Sequence, residues 1–269
     1  MLLETPPSRG PVADAALQIG HMLDFAVLTL LAGLQSLRYR RFPWRECVHQ
    51  MWFLATVTTL PAVLVTVPLG VMVAVNIGSL AGQLGAQGYG GAVVAFVIVG
   101  QAAPLICALM ISGVGGSAIC ADLGSRKIRE ETDALEVMGV STVERLAVPR
   151  VVAATVVTVL LNGVVMAVGI GVSFAFQVIA LNNSPGSFLG ALTEFSRLSD
   201  FLVAEIKAAA FAVCAAIVAC YKGLTVKGGP SGVGDAVNEA VVLAFVLVFI
   251  VNVVVTELYT VIVPARGAY

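Results

Sequence analysis

The sequence predicts an all-α polytopic membrane protein: an N-terminal interfacial amphipathic helix, five transmembrane helices, and a cytoplasmic helix between the second and third. Three observations predict it. Of the 269 residues, 59% are hydrophobic and 12% charged, with a mean hydropathy of +0.98; a soluble domain carries about 25% charged residues. The charges are segregated, since residues 47–121 and 151–193 contain no Asp, Glu, Lys or Arg. Finally, the apolar stretches reach the roughly 20 residues that a helix needs to cross a bilayer. A soluble fold could not cover its surface with so few charges. That excludes a soluble enzyme, a nucleic-acid binder and a disordered chain.

Residues 12–37 come first and differ in kind from the spans. Val12, Ala16, Ile19, Leu23, Val27, Leu30, Leu34 and Leu37 recur at three- and four-residue steps, while Asp14, Gln18, His21 and Asp24 fall largely off that stripe. The uncharged part, Phe25 to Leu37, is too short to cross a bilayer. An amphipathic helix in the inner interface fits, with Arg38, Arg40 and Arg41 at the headgroups. A signal peptide fits poorly, because the apolar run starts late and no small-x-small site precedes the basic cluster. The five spans lie at about 53–75, 92–121, 150–176, 201–221 and 240–263, within a single domain covering 1–269. Pro61 and Pro68 interrupt the first, and Pro104 implies a kink or tilt in the long second. Each needs a neighbour to satisfy the carbonyl that a proline frees.

Placing the N-terminus inside puts Arg9, Arg38, Arg40, Arg41, Arg45, Arg126, Lys127, Arg129, Arg145, Arg150, Lys222 and Lys227 on the inner side, twelve of the 15 basic residues. The reverse orientation violates the positive-inside rule. Five spans then carry the C-terminus to the outside.

The chain lacks the residues of a catalyst. It has no G-x-x-x-x-G-K-[ST] phosphate loop, and the glycine-rich run 228–234 has no following Lys and reads as a tight loop between spans four and five. Its five cysteines show no C-x-x-C spacing, and His21 and His49 are too few for a histidine metal site, so no metal or cofactor is expected. Glu205 and Lys207 are the ionisable residues within a span. They lie two residues apart on one helix and do not face each other. An interfacial anchor is the preferred reading, with an ion-coupling pair as the alternative.

The polar island is 122–145. Arg126 with Glu130, Lys127 with Glu131 and Arg129 with Asp133 are spaced i,i+4, and Ile128, Leu135 and Met138 supply an apolar stripe. Gly139 is a helix stop, and Ser141 with Glu144 reads as a capping box. A short helix over about 125–139, parallel to the membrane, is longer than a mere connection requires and suits docking of a cytosolic partner. Just before it, the small residues Gly113, Gly115, Gly116 and Ser117 permit close helix approach.

The run 101–150, QAAPLICALMISGVGGSAICADLGSRKIREETDALEVMGVSTVERLAVPR, resembles the MlaE/YrbE family of lipid-transporter permeases, with its small-residue core, A-E-[IL]-G segment and E-[EQ]-x-[DS]-A-[LM]-E-x-M block in order. Residues 49–76 resemble that family's first span, and GGPSGVGDAVNEAVV (228–242) its G-x-x-G-V-G segment. The wording is most similar to the actinobacterial Mce-system YrbE branch. The resemblance implies a non-catalytic permease of an ABC transporter in the bacterial inner membrane. It also implies a cytosolic ATPase dimer, a second YrbE-type permease forming a heterodimer, extracytoplasmic MCE-domain proteins, and a lipid cargo: fatty or mycolic acid, sterol or phospholipid.

By the same resemblance, Arg126, Arg129, Glu130, Glu131, Asp133 and Glu136 belong to a coupling helix that docks into the ATPase. Asn76, Gln101 and Pro104 are candidates for a lipid cavity. Two departures stand out: Gln101 replaces an acidic residue the family often has there, and Asp122 replaces the glutamate of A-E-I-G. The rival readings are an ion-coupled secondary transporter of an apolar solute and a non-transporting anchor for an outer assembly.

Overall fold

The computed structural model describes residues 11–38, 42–83 and 89–262, and eight helices account for nearly all of them. They are α1 (Pro11–Arg38), α2 (Trp44–Gln83), α3 (Gly90–Ile128), α4 (Glu131–Val137), α5 (Val143–Ile179), α6 (Pro185–Phe195), α7 (Leu198–Leu224) and α8 (Gly229–Ile262). Residues 53–75, 92–121, 150–176 and 201–221 lie within α2, α3, α5 and α7, and 240–262 within α8, while residue 263 of the expected fifth span lies outside the described residues. At 1.5 Å per residue, the 39 residues of α3 reach nearly 60 Å, well beyond the roughly 30 Å hydrocarbon layer. Gly85 and Gly88, in the sequence between α2 and α3, lie with Arg9, Arg40, Arg41 and Arg266 outside the described residues.

α2, α3, α5, α7 and α8 pass back and forth as a bundle. One end carries α4, with the start of α2, the turn between α7 and α8, and the start of α5. The opposite end carries α6. About half of the most apolar window of α3, α5 and α7 is buried, but only 22% of that of α2 and 11% of that of α8. So α3, α5 and α7 form the core, and α2 and α8 flank it with wide apolar faces that include Leu60, Leu64, Val246 and Phe249. Without a hydrophobic driving force in lipid, the core is held by close packing of small residues, and its buried side chains include Ala153, Ala154, Ala208, Ala212, Ala215, Ala216 and Ala219.

By length and composition six helices suffice to cross a membrane, because Leu17–Ser36 of α1 qualifies alongside the five bundle helices. Its surroundings set it apart. Phe25 meets Tyr221 near the end of α7 (ring centroids 5.7 Å), and a Cβ at Gly33 would lie 3.6 Å from Val148 at the start of α5. Both contacts are at the α4 end of the bundle. α1 therefore runs across that end and not alongside the spans, and it exposes Leu23, Val27, Leu30 and Leu34.

Two stretches of α3, Ala95–Ala102 and Ile111–Gly115, are π-helical, as is Val143–Ala147 at the start of α5. The first π-stretch immediately precedes Pro104, which cannot donate to the carbonyl of Gly100 four residues earlier. That carbonyl accepts a hydrogen bond from Lys207 Nζ of α7 at 3.2 Å. Neighbouring helices commonly satisfy a membrane proline in this way.

Candidate functional site at the loop end of the bundle

The loop helix forms in two pieces where the residues predict one over 125–139. α3 runs on to Ile128, the chain turns at Arg129 and Glu130, and α4 then covers Glu131–Val137. Glu130 sits at φ 60° in the left-handed region, which is unfavourable by about 1 kcal/mol or more for a residue with a Cβ. Neither Gly nor Pro marks this break. It changes the ion pairing. In place of the three i,i+4 pairs, Arg126 reaches back to Asp122 (3.3 Å) and across to Glu131 (3.9 Å), Arg129 pairs with Glu131 (3.0 Å), and Lys127 pairs with Asp133. The turn supplies what a straight helix could not: side chains before the break meet acids after it.

The end of α4 follows the expectation for Gly139. That residue takes φ 74°, its N–H bonds Glu136 O (3.0 Å), and the Val140 N–H bonds Leu135 O (2.9 Å), a Schellman stop. Half of the capping box is present, with the Glu144 N–H donating to Ser141 Oγ (3.3 Å). Thr132 is buried and Leu135 packs against the core, so α4 is seated on the bundle. Its other side presents Glu130, Glu131, Asp133 and Glu136 to solvent, beside an apolar tip formed by Val137 (89% exposed) and Met138.

Beneath this loop lies a residue that sequence reasoning used only to set topology. Arg150, near the start of α5, is fully buried. Its Nη2 contacts Asp122 Oδ2 of α3 at 2.5 Å and lies 3.9 Å from Glu46 Oε1 of α2, while Nη1 donates to Leu146 O at 2.8 Å. Glu46 in turn accepts from Gln50 Nε2 at 3.1 Å. Asp122 divides its two oxygens between Arg126 at the surface and Arg150 inside. The sequence shows a carboxylate at the loop's edge and an Arg opening the next apolar run, but nothing in it pairs the two.

The small-residue cluster meets three different neighbours. A Cβ added at Gly113 would lie 3.5 Å from Phe245 of α8, one at Gly115 3.5 Å from Leu54 of α2, and one at Gly116 3.8 Å from Ala219 of α7. Ser117 bonds within its own helix, to Val114 O. The tightest approach of α3 to α7 is elsewhere: a Cβ at Gly223 would stand 2.8 Å from Leu123 Cβ and 2.9 Å from Cys120 O. A single glycine between Lys222 and Leu224 gave no sequence signal for it.

Asn76, Gln101 and Pro104 do not converge. Asn76 is exposed near the end of α2 and donates to Met72 O of its own helix, Gln101 is half-buried, and Pro104 is buried in the core. The void at this depth, between α2, α3 and α5, is lined by Ala102 and Ala103 but by none of the three, and holds about 10 Å³. That is the threshold for one water, far below a lipid. Larger clefts open at the α4 end, one of about 520 Å³ between α1 and the α7–α8 turn and one of about 330 Å³ beside Ser141. That turn is tight at Gly228 and Gly229, both at positive φ, and the rest of the glycine-rich run is already helix.

The anchor reading of Glu205 and Lys207 is corrected by the structure. Lys207 is 2% exposed, held by the Gly100 carbonyl, and Glu205 is half-buried and accepts from Asn162 Nδ2 of α5 at 3.2 Å. α7 is a core helix flanked by α3 and α5, so most of its faces are enclosed, and both residues bond to helices of the bundle.

A bundle of long apolar helices with a charged loop seated on one end defines a multi-pass membrane protein. Comparison with known proteins makes that class specific. The model of the family described as Permease MlaE matches residues 47–258, and the chain belongs to that family. A probable ABC transporter permease protein of Synechocystis is 33% identical over 148 residues, 54% of this chain and 56% of that protein. The Arabidopsis thaliana chloroplastic protein TRIGALACTOSYLDIACYLGLYCEROL 1 is 29% identical over 146 residues, 54% of this chain and 42% of that protein. A probable ABC transporter permease protein of Rickettsia bellii is 25% identical over 167 residues, 62% of this chain and 64% of that protein. The aligned regions thus span about half the length of these curated relatives.

Proposed function

We propose that this chain is the membrane-spanning, non-catalytic subunit of an ATP-driven ABC-type transporter of lipid. ATP would be hydrolysed by a separate cytosolic ATPase dimer that docks on α4, and the charged residues there would take the stroke. The observation that carries this reading is the seated loop helix. Thr132 and Leu135 fix it to the bundle, while Glu130, Glu131, Asp133 and Glu136 and the apolar tip at Val137 and Met138 stay exposed for a partner. Movement of α4 would reach α3 and its glycine contacts with α2, α7 and α8.

Lipid as cargo is supported by the scarcity of ionisable groups in the spans and by the glycerolipid in the Arabidopsis relative's name. The small void inside the protomer fits a path on the outer faces of α2 and α8, between this chain and a second permease of the same type. MCE-domain proteins on the far side would pass lipid to or from that path. In this scheme the protein sits in a bacterial inner membrane with α1 in the cytoplasmic interface. The N-terminus is then cytoplasmic and the C-terminus extracytoplasmic.

The test is charge reversal of the loop, Glu130→Lys with Glu131→Lys. Co-purification of an ATPase in mild detergent should fall at least tenfold while the protein still inserts. Retention of the ATPase at the unaltered level would reject the docking role of α4. An ion-coupled transporter would instead lose activity on Glu205→Gln and keep it without nucleotide. A reporter fused after Tyr269 should be extracytoplasmic.

A further inference from the structure

We propose that Arg150 is a positioning residue that passes movement of the loop helix into α2 and α5, by a route separate from the glycine contacts of α3. The inference rests on the proposed docking of an ATPase at α4. Its basis is a continuous line of charge that runs inward from the docking surface. Glu131 of α4 pairs with Arg126 of α3 (3.9 Å), Arg126 with Asp122 Oδ1 (3.3 Å), Asp122 Oδ2 with Arg150 (2.5 Å), and Arg150 lies 3.9 Å from Glu46 in the first turn of α2. Four helices thereby meet on alternating charges over a few residues.

The chemistry of the hub makes this more than packing. An arginine carries only donors and stays charged, so a fully buried one must face acceptors. Arg150 finds two carboxylates on two other helices and a carbonyl of its own helix, Leu146 O within the π-helical start of α5. Its Nε has no hydrogen-bond partner among the described residues. A buried ion pair adds little net stability compared with apolar side chains of the same volume, so stability alone gives little reason for it here. What it does supply is geometry. A planar guanidinium fixes the direction of each carboxylate it binds, and Asp122, shared between two guanidiniums, cannot shift with the loop without pulling on Arg150. The π-stretch is a segment where the backbone ladder of α5 is already irregular, and it gives the start of α5 a place to yield.

The experiment is hydrogen exchange read by mass spectrometry on the full complex with its ATPase, resting and trapped with ATP and vanadate. In the unaltered complex, trapping should change exchange in the loop at 129–140 and also at 44–54 of α2 by at least threefold. With Asp122→Asn the loop should still respond, while the response at 44–54 should fall to within measurement error. Asp122→Glu, which keeps the charge, should restore it. Glu46→Gln, at the far end of the line, should also silence 44–54 and serves if Asp122→Asn fails to assemble. An unchanged response of 44–54 in Asp122→Asn or Glu46→Gln would overturn the inference with the docking reading intact. No response of the loop itself in the unaltered complex would overturn both.

Discussion

The two ends of the bundle are built from different materials. At the α4 end, four helices converge on ion pairs, and the elements joined are far apart in sequence: Glu46, Asp122, Glu131 and Arg150. At the opposite end, α6 closes over the start of α3 with rings and backbone. Phe188 stacks edge-on to Phe174 (5.4 Å), Tyr89 meets Phe195 (6.2 Å), and Gly91 lies against the Phe188 backbone. Asp200 there accepts from the Arg197 N–H (3.1 Å) and from the Tyr259 hydroxyl. Apolar packing holds a shape without fixing which groups must pair. Buried ion pairs are directional and fail sharply when one partner is lost. Under the proposed docking of an ATPase on α4, these directional pairs lie at the end that would take the mechanical signal.

Substitutions can break or sharpen that contrast. The largest effect is expected from Arg150→Met, which removes the guanidinium that Asp122 and Glu46 share at the α4 end. A lost hydrogen bond to a charged group costs about 1.5–3 kcal/mol, and the thermal unfolding midpoint of the detergent-purified protein should fall accordingly. Next comes Gly223→Val, which forces a side chain into Leu123 and the Cys120 carbonyl and should cost about 1–3 kcal/mol in the same assay.

Smaller still is Ser173→Ala, which removes the Oγ–H donated to Gly70 O of α2 at 2.9 Å, in the opposite half of the bundle. A membrane interhelical hydrogen bond averages about 0.6 kcal/mol, so a loss several times larger would undo the contrast between the halves. At the bottom is Gly163→Ala, where an added Cβ meets nothing within 4 Å; its midpoint should not fall. Lys127→Ala belongs with these small effects, because exposed pairs such as Lys127 with Asp133 are worth about 0–1 kcal/mol. A large drop there would mean that the loop pairs, and not only the buried hub, hold the α4 end together.

Much of this was legible in the chain. Charge-free runs 47–121 and 151–193 give the spans because nothing but lipid tolerates them, and Gly139 announces the end of α4 because only a residue free of Cβ strain takes φ 74° readily. The break at Glu130 was not legible. Local spacing favoured a straight helix with three i,i+4 pairs, and the alternative pairs to Asp122, Glu131 and Asp133 stabilise a turn that no residue there prefers by itself. Gln101 and Pro104 were cavity candidates through the family resemblance, yet Pro104 serves the core and the Gly100 carbonyl that it frees is taken by Lys207.

The sequence by itself determined the class of the protein, its long apolar segments, its family resemblance and the location of its charged loop, because hydropathy and charge act locally and add along the chain. Only the tertiary structure decided which charges meet. Arg150, Asp122 and Glu46 are separated by up to about a hundred residues, and an arginine at the start of a span looks the same in sequence whether it reaches for water or, from inside the bundle, for two half-buried carboxylates. The helices must be packed before that choice exists.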